Sequence, residues 1–227
     1  FNYSRVNNLG ARRSQGDLLL FLNNDIEVLA STWLAELVRW AQLPEVGVVG
    51  PQLLFPDGTI QHAGIVMGVE GHASHVFGGM QEHAAGPFGL ADWYRNYAAV
   101  TGACMMLRRE VFQTVGGFDE RYSLVFSDVK ICLDVIAKGY QVVYNPFCRI
   151  THFEGVSRAQ SMPDQDLVLG LEDFRPWVER GDPYFNPNLS HAVRVPTFRR
   201  PWEDNPLRRL ERIVSRVAAV PERDARR

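Results

Sequence analysis

Along the first fifty residues the hydrophobic pattern changes period twice. Asp17 to Leu22 (DLLLFL) is a short, nearly unbroken apolar run behind Gly16, as expected of a strand buried on both faces of a parallel sheet. It stops at Asn23-Asn24-Asp25. From Ser31 the period becomes helical, with Leu34, Leu37, Val38 and Ala41 on one stripe and Ser31 or Thr32 available as a cap. Val46 to Val49 reads as another short buried strand, ended by Gly50-Pro51, so strand, helix and strand follow in the order of a crossover unit. Pro56-Asp57-Gly58 predicts a turn between two further extended runs, Gln52 to Phe55 and Thr59 to Met67.

The pattern then weakens. Gly68 to Asn96 is rich in Gly, Ala and His with little periodicity, and a loop of that length inside a domain is expected to be functional or mobile. Tyr97 to Leu107 is apolar again, followed by a short helix from Arg109 to Val115 that Gly116-Gly117 would end. A second well-marked helix begins at Ser127, placed as its N-cap. Val129, Cys132, Leu133 and Ile136 share one face, and Gly139 stands at the C′ position. Tyr140 to Tyr144 and Arg149 to Thr151 are candidate strands. Near the end, Leu207, Leu210, Ile213, Val214 and Val217 recur at helical spacing among Arg208, Arg209, Arg212 and Arg216. Such a helix lies either on an anionic membrane or on its own domain, with its arginines in water.

Charge and cysteine usage narrow the partners. The formal net charge of −2 argues against a chain built to neutralise a nucleic-acid backbone, so no nucleic-acid partner is expected. Only the end is basic, with ten arginines against five carboxylates from Val193 to Arg227. Three cysteines, Cys104, Cys132 and Cys148, are too few and too far apart for a zinc knuckle and read as reduced core residues of a cytoplasmic protein. No apolar run approaches the roughly 18 residues of a membrane span, and no signal peptide is evident, so the chain is expected to be soluble or at most surface-bound. It opens at Phe1 in mid-pattern without an initiator Met, which suggests that an N-terminal part of the natural protein is absent.

Three polar positions stand where chemistry is possible. Asn23-Asn24-Asp25 follows the first strand, and in open α/β sheets ligands bind beyond the carboxyl ends of strands, where a carboxylate can hold Mg²⁺ or Mn²⁺. The same three residues also suit an ordinary polar turn. Asp128 lies in the first turn of its helix, where the macrodipole favours an acid with no function attached. His152 closes the last apolar strand, a place where a hydrogen-bonded structural histidine is as natural as a ligand. His72 and His75 have no third ligand nearby and read as loop residues rather than a metal site.

Four stretches together carry a family likeness: Ser14 to Val28 (SQGDLLLFLNNDIEV), Pro56 to Gly64 (PDGTIQHAG), Val100 to Glu120 (VTGACMMLRREVFQTVGGFDE) and Phe126 to Ser157 (FSDVKICLDVIAKGYQVVYNPFCRITHFEGVS). Pro183 to Leu189 (PYFNPNL) adds to it. Up to about residue 190 the sequence resembles the later two-thirds of a family 2 glycosyltransferase, the inverting kind found among bacterial rhamnosyltransferases and O-antigen assembly enzymes. The resemblance implies an α/β fold of GT-A type (nucleotide-diphospho-sugar transferase): a mixed, mostly parallel sheet flanked by helices, lacking its N-terminal part. It implies a partial catalytic domain over residues 1–160 and a Pro/Arg-rich extension with the basic helix over 161–227.

Position by position, Asp25 falls on the metal-binding carboxylate, Asn23 and Asn24 on the rest of the donor motif, and Asp128 on the catalytic base. His152 falls on a histidine near the metal, and Thr101-Gly102 on the acceptor side. The implied cofactor is Mg²⁺ or Mn²⁺. Implied partners are a nucleotide-sugar donor and a saccharide or lipid-linked acceptor, at the inner membrane face. The departures are Asn where many relatives have Asp, Ser127 before the base in place of Glu, and Lys130 in place of Asp. They leave open a non-catalytic scaffold of the same fold or a metal-dependent nucleotide-sugar hydrolase. The donor site is expected to be incomplete, and nucleotide-sugar binding by these 227 residues alone to be weak or nil.

Overall fold

The computed structural model describes residues 1–83, 85–153 and 163–218. Eleven strands and six helices lie among them. The strands are β1 (Leu18–Leu22), β2 (Ile26–Val28), β3 (Val46–Leu54), β4 (Ile60–His62), β5 (Ile65–Met67), β6 (Ala73–His75), β7 (Ala85–Gly86), β8 (Gly89–Leu90), β9 (Arg95–Asn96), β10 (Cys104–Arg108) and β11 (Gln141–His152). The helices are α1 (Tyr3–Arg13), α2 (Trp33–Ala41), α3 (Arg109–Thr114), α4 (Ser127–Ala137), α5 (Asp164–Arg180) and α6 (Pro206–Ala218). The Glu154 to Ser157 end of the fourth motif stretch and the side chain of Val217 lie outside the described residues.

The main sheet runs β1-β10-β3-β11-β2, with β4 beside β3 and β9 beside β11. It is mixed, as expected, but its parallel pairing is confined to β3 and β11 among the described strands; β1 is antiparallel to β10, not a strand of a parallel sheet. The apolar run of β1 has another cause. Leu19 and Phe21 enter one core, while Leu18 and Leu20 pack against a second core on the opposite face. Two-sided packing demands apolar residues at successive positions whatever the strand direction. The expected crossover exists with β10 inserted between its two strands.

Three layers result. Helix α2 covers one face, burying Leu37 and Ala41 against Val49, Leu53, Met106 and Ile150. Thr32 takes its N-cap position, though without a side-chain bond. On the other face α1, α3, α4 and α5 share a larger core that includes Ala11, Phe112, Leu133 and Phe174. All three cysteines are free and buried in these layers. Burial pushes the Cys148 thiol up to about 12.

Several boundaries differ from the sequence pattern. Gly50-Pro51 does not end β3, which continues to Leu54. Proline is tolerated because the register with β11 shifts between Asn145 and Arg149, beside Pro51. Gly50 has no room for a side chain, since a Cβ there would approach Val100 Cβ to 2.7 Å. The 68–96 loop is more ordered than its weak periodicity suggested, holding β6 to β9 and burying Val76, Phe77 and Ala91. Short strands of two or three residues leave no periodicity to read.

Residues beyond 163 join the same core. Phe174 meets Phe126 edge to face at 5.4 Å. Asp166, fully buried, accepts backbone N–H bonds from Ser123, Leu124 and Val125 and so fixes the segment leading into α4. The apolar stripe of α6 turns inward onto α5 and the Val69–Gly71 turn, with Leu210 fully buried. Its own domain, rather than a membrane, therefore covers that stripe.

Candidate active site

A cavity of about 330 Å³ opens where β1, β4, β10, β11 and the start of α4 converge. Its lining includes Asn23, Thr101, Gly102, Asp128 and His152, five of the seven residues singled out above. Asp25 reaches this wall through His152, and Asn24 is exposed outside it.

One wall holds Asp128. Phe126, not Ser127, occupies the N-cap of α4, in the left-handed region at φ 65°. A residue with a β-carbon gives up about 1 to 2 kcal/mol there. The conformation turns the chain abruptly, sending Ser127 inward as the first helical residue and leaving Asp128 on the cavity side. Asp128 Oδ2 accepts the Gly102 N–H at 2.8 Å, and Oδ1 accepts the Val129 N–H at 2.9 Å. Tyr3 of α1 donates its hydroxyl to Gly102 O at 2.7 Å, so Gly102 is held from both sides. These two bonds fix the orientation of the carboxylate in the cavity wall.

The opposite wall holds His152. Its Nδ1 donates to Gln61 Oε1 at 2.7 Å, and Gln61 Nε2 donates back to His152 O at 3.3 Å. That double bond fixes the tautomer and leaves the Nε2 lone pair facing outward. Asn23 Nδ2 lies 3.1 Å from Nε2, and Asp25 Oδ1 also lies 3.1 Å from it. The Nε2 lone pair accepts the Asn23 amide N–H and faces Asp25 Oδ1 at the same distance, so a cation binding here would take the place of that amide hydrogen.

The donor set suits a divalent cation. Neighbouring ligands at about 2.1 Å from an octahedral ion stand about 3 Å apart. A ligating histidine also commonly donates its other N–H to an oxygen, as His152 does to Gln61. Among the described residues no cluster of three or more His, Cys, Asp or Glu side chains could hold a metal alone. An ion here would draw further ligands from phosphate oxygens and water, the usual habit of Mg²⁺.

Comparison with known proteins fits this geometry. A model of the glycosyl transferase family group 2 matches residues 28–165, more than half of the chain. The chain belongs to that family. It is 48% identical over 207 residues to the O-antigen biosynthesis protein RfbC of Myxococcus xanthus, an alignment covering 90% of this chain and 16% of RfbC. Over 133 residues, 52% of this chain and 40% of the relative, it is 32% identical to N-acetylglucosaminyl-diphospho-decaprenol L-rhamnosyltransferase of Mycobacterium tuberculosis. The chain thus spans a minor part of these relatives' length.

Solved structures place the fold. GalNAc-T7 with UDP, GalNAc and Mn²⁺ aligns with a TM-score of 0.55 at 15% identity, over 71% of this chain and 32% of that one. The mannosyltransferase PcManGT from Pyrobaculum calidifontis, in complex with GDP-Man and Mn²⁺, aligns with a TM-score of 0.52 at 16% identity, over 97% of this chain and 56% of that one. The architecture is that of GT-A glycosyltransferases.

In this family 2 chain, sequence reasoning missed Tyr3, Gln61, His62 and Arg194, all at or beneath the cavity. Tyr3 sits on a helix whose buried residues are Ser4, Asn8 and Ala11, which leave no apolar stripe. Gln61 and His62 lie side by side between Ile60 and Ala63 within the PDGTIQHAG stretch, and two adjacent polar residues on a strand show no polar face to notice. Arg194 comes from the basic end, lines the cavity and donates to Glu70 Oε2 at 2.8 Å. His75 is not a free loop residue: its ring meets His62, Nδ1 to Nδ1, at 3.0 Å. Among the described residues no helix is long and apolar enough to cross a membrane.

Proposed function

We propose that this chain transfers a sugar, with inversion, from a nucleotide-sugar to a saccharide or lipid-linked saccharide acceptor during cell-surface polysaccharide synthesis. The supporting observation is one cavity with Asp128 on one wall and the His152 and Asp25 pair at the other. Relatives named for O-antigen biosynthesis and for rhamnosyl transfer to a diphospho-decaprenol acceptor agree with it. So does the presence of UDP or GDP-Man with Mn²⁺ in solved neighbours of the fold.

Each side chain then has a task. Asp25 and His152, with Asn23 beside them, hold Mg²⁺ or Mn²⁺. When bound, such an ion offsets the negative charge that builds on the departing diphosphate. The acceptor hydroxyl oxygen bonds to the anomeric carbon as the bond from that carbon to phosphate breaks. The nucleoside diphosphate leaves with the electron pair, and Asp128 takes the hydroxyl proton. Single displacement with no covalent intermediate inverts the anomeric configuration. Gly102 holds Asp128 in place and, with Thr101, borders the acceptor side, while Asn24 stands farther out on the donor side.

In this reading residues 1–160 carry the chemistry and 161–227 support it, through Asp166 behind α4 and Arg194 at the cavity. The protein works at the cytoplasmic face of the inner membrane, any surface contact falling to the exposed arginines Arg208, Arg212 and Arg216.

The direct experiment incubates the full-length protein with a panel of nucleotide-sugars and lipid-linked or free saccharides, with Mn²⁺ or with chelator. Expected is metal-dependent transfer whose product has the anomeric configuration opposite to the donor's by NMR. Transfer unaffected by chelation, or a product of retained configuration, overturns the mechanism; release of free sugar alone points to hydrolysis instead.

A further inference from the structure

Beside the cavity lies a polar pair to which the transfer reaction gives no task, wholly buried His62 and half-buried His75, the latter in the cavity wall. His62, at the end of β4, and His75, at the end of β6, place their Nδ1 atoms 3.0 Å apart with their rings nearly perpendicular. His62 is wholly buried, and its Nε2 accepts the Thr101 N–H at 3.4 Å. That bond decides the tautomers. With Nε2 accepting, the His62 proton sits on Nδ1 and is donated to His75, whose own proton must then be on Nε2. The His75 ring also hydrogen-bonds the backbone of Gln61.

Followed outward, these bonds reach both walls. From Thr101 the next residue is Gly102, whose N–H goes to Asp128. From Gln61 the side chain goes to His152, and His152 to Asp25. A continuous chain of hydrogen bonds and single peptide links therefore joins the proposed base to the proposed cation site through two neutral imidazoles.

We propose that His62 and His75 are positioning residues that hold the Asp128 wall and the His152 wall at a fixed separation. This rests on the sugar-transfer reading above. Core packing alone does not require the pair, since two apolar side chains of similar size would fill the space without burying the ring nitrogens of His62. A relay with one consistent tautomer set fixes distance and orientation together, which packing by flexible aliphatic groups does not.

Two measurements decide it. In the wild type, long-range ¹H–¹⁵N spectra of the ring nitrogens at pH 7 are expected to show His62 as the Nδ1–H tautomer and His75 as the Nε2–H tautomer, both neutral. The opposite assignment, or a doubly protonated ring, overturns the relay. In the His62→Leu/His75→Leu double variant, kcat is expected to fall ~10- to 100-fold, the range that small misplacements of reacting groups produce. The single variant His62→Leu, which leaves the cavity lining intact, is expected to lower kcat more than it raises acceptor KM. Mn²⁺ binding, followed by electron paramagnetic resonance without any substrate, should weaken several-fold. A folded double variant with unchanged kcat and unchanged Mn²⁺ affinity shows the pair to be packing only. If the variant does not fold, the wild-type tautomers still decide. Absence of any transfer by the wild type would sink the sugar-transfer reading instead, and the tautomer and Mn²⁺ measurements would judge the relay on their own.

Discussion

Gly102 shows how little slack the site has. A Cβ built on it would stand 2.8 Å from Tyr3 Oη and 3.3 Å from Asp128 Cβ, so even a methyl group must displace one of them. Its N–H and carbonyl are both engaged, by Asp128 and Tyr3. Gly102→Ala is therefore expected to lower turnover ~10-fold or more by shifting the carboxylate, at a stability cost of about 1 to 3 kcal/mol for the overpacking. Steady-state kinetics beside a thermal melt checks this; unchanged turnover would show that Asp128 need not sit where it does. Glycine here serves close approach, since its φ is not in the left-handed region. Phe126 is the converse, a side chain kept at positive φ because its ring is packed against Phe174 and His72.

At the scale of elements, the apolar stripes of α2 and α4 were legible, whereas α1, with its polar interior, and α5, whose stripe of Leu171, Phe174 and Val178 is interrupted by Gly170 and Pro176, were not. α2 and α4 follow their spacing closely, and Gly139 does close α4 as its C′ residue. α1 was invisible because Ser4 and Asn8 face inward, each satisfied by backbone of the 118–122 segment: Ser4 donates to Tyr122 O and Asn8 pairs with Phe118 in both directions. Strand order was not legible either, since a buried run reads alike in parallel and antiparallel sheets. The positions of Asp128 and His152 were suggested by family likeness more than by pattern, and the structure brings them to one cavity. What joins them, Gln61 with the His62 and His75 pair, depends on side chains from β4, β6 and β11, a juxtaposition that no spacing in one dimension encodes.

For the molecule as a whole, buried titratable groups set how stability responds to acid. Burial pushes His75 down to about 4 from 6.5, opposed by nearby Glu70 and helped by Arg194 and His152, and it lowers His62 well below its ordinary value, with His75 adding to the effect. The unfolded chain takes up protons on both rings as pH falls below about 6.5, whereas in the native chain His75 does not until about pH 4 and His62 also resists protonation, so stability is lost as pH falls through that window. Asp182 acts oppositely: burial raises it to about 6, so its contribution is present in acid and lost as pH rises from about 4 to 6. His72 and His191, also lowered by burial, add to the loss in acid. Denaturant unfolding at pH 6.5 and pH 4 is expected to show lower stability in acid, with the drop reduced in His62→Leu/His75→Leu; an equal drop in that variant would mean other groups dominate.

Proton removal by Asp128 at a cavity shared with the Asp25 and His152 pair is the claim on which the functional account turns. Its most direct test is the transfer rate of Asp128→Asn in the full-length protein at saturating Mn²⁺, donor and acceptor. Asparagine keeps the shape and can still accept the Gly102 N–H, giving up the Val129 N–H bond, but is no base, so turnover should fall ~10²- to 10⁴-fold while a thermal melt still shows a folded protein. A folded Asp128→Asn protein that transfers sugar within twofold of the wild-type rate would contradict the account.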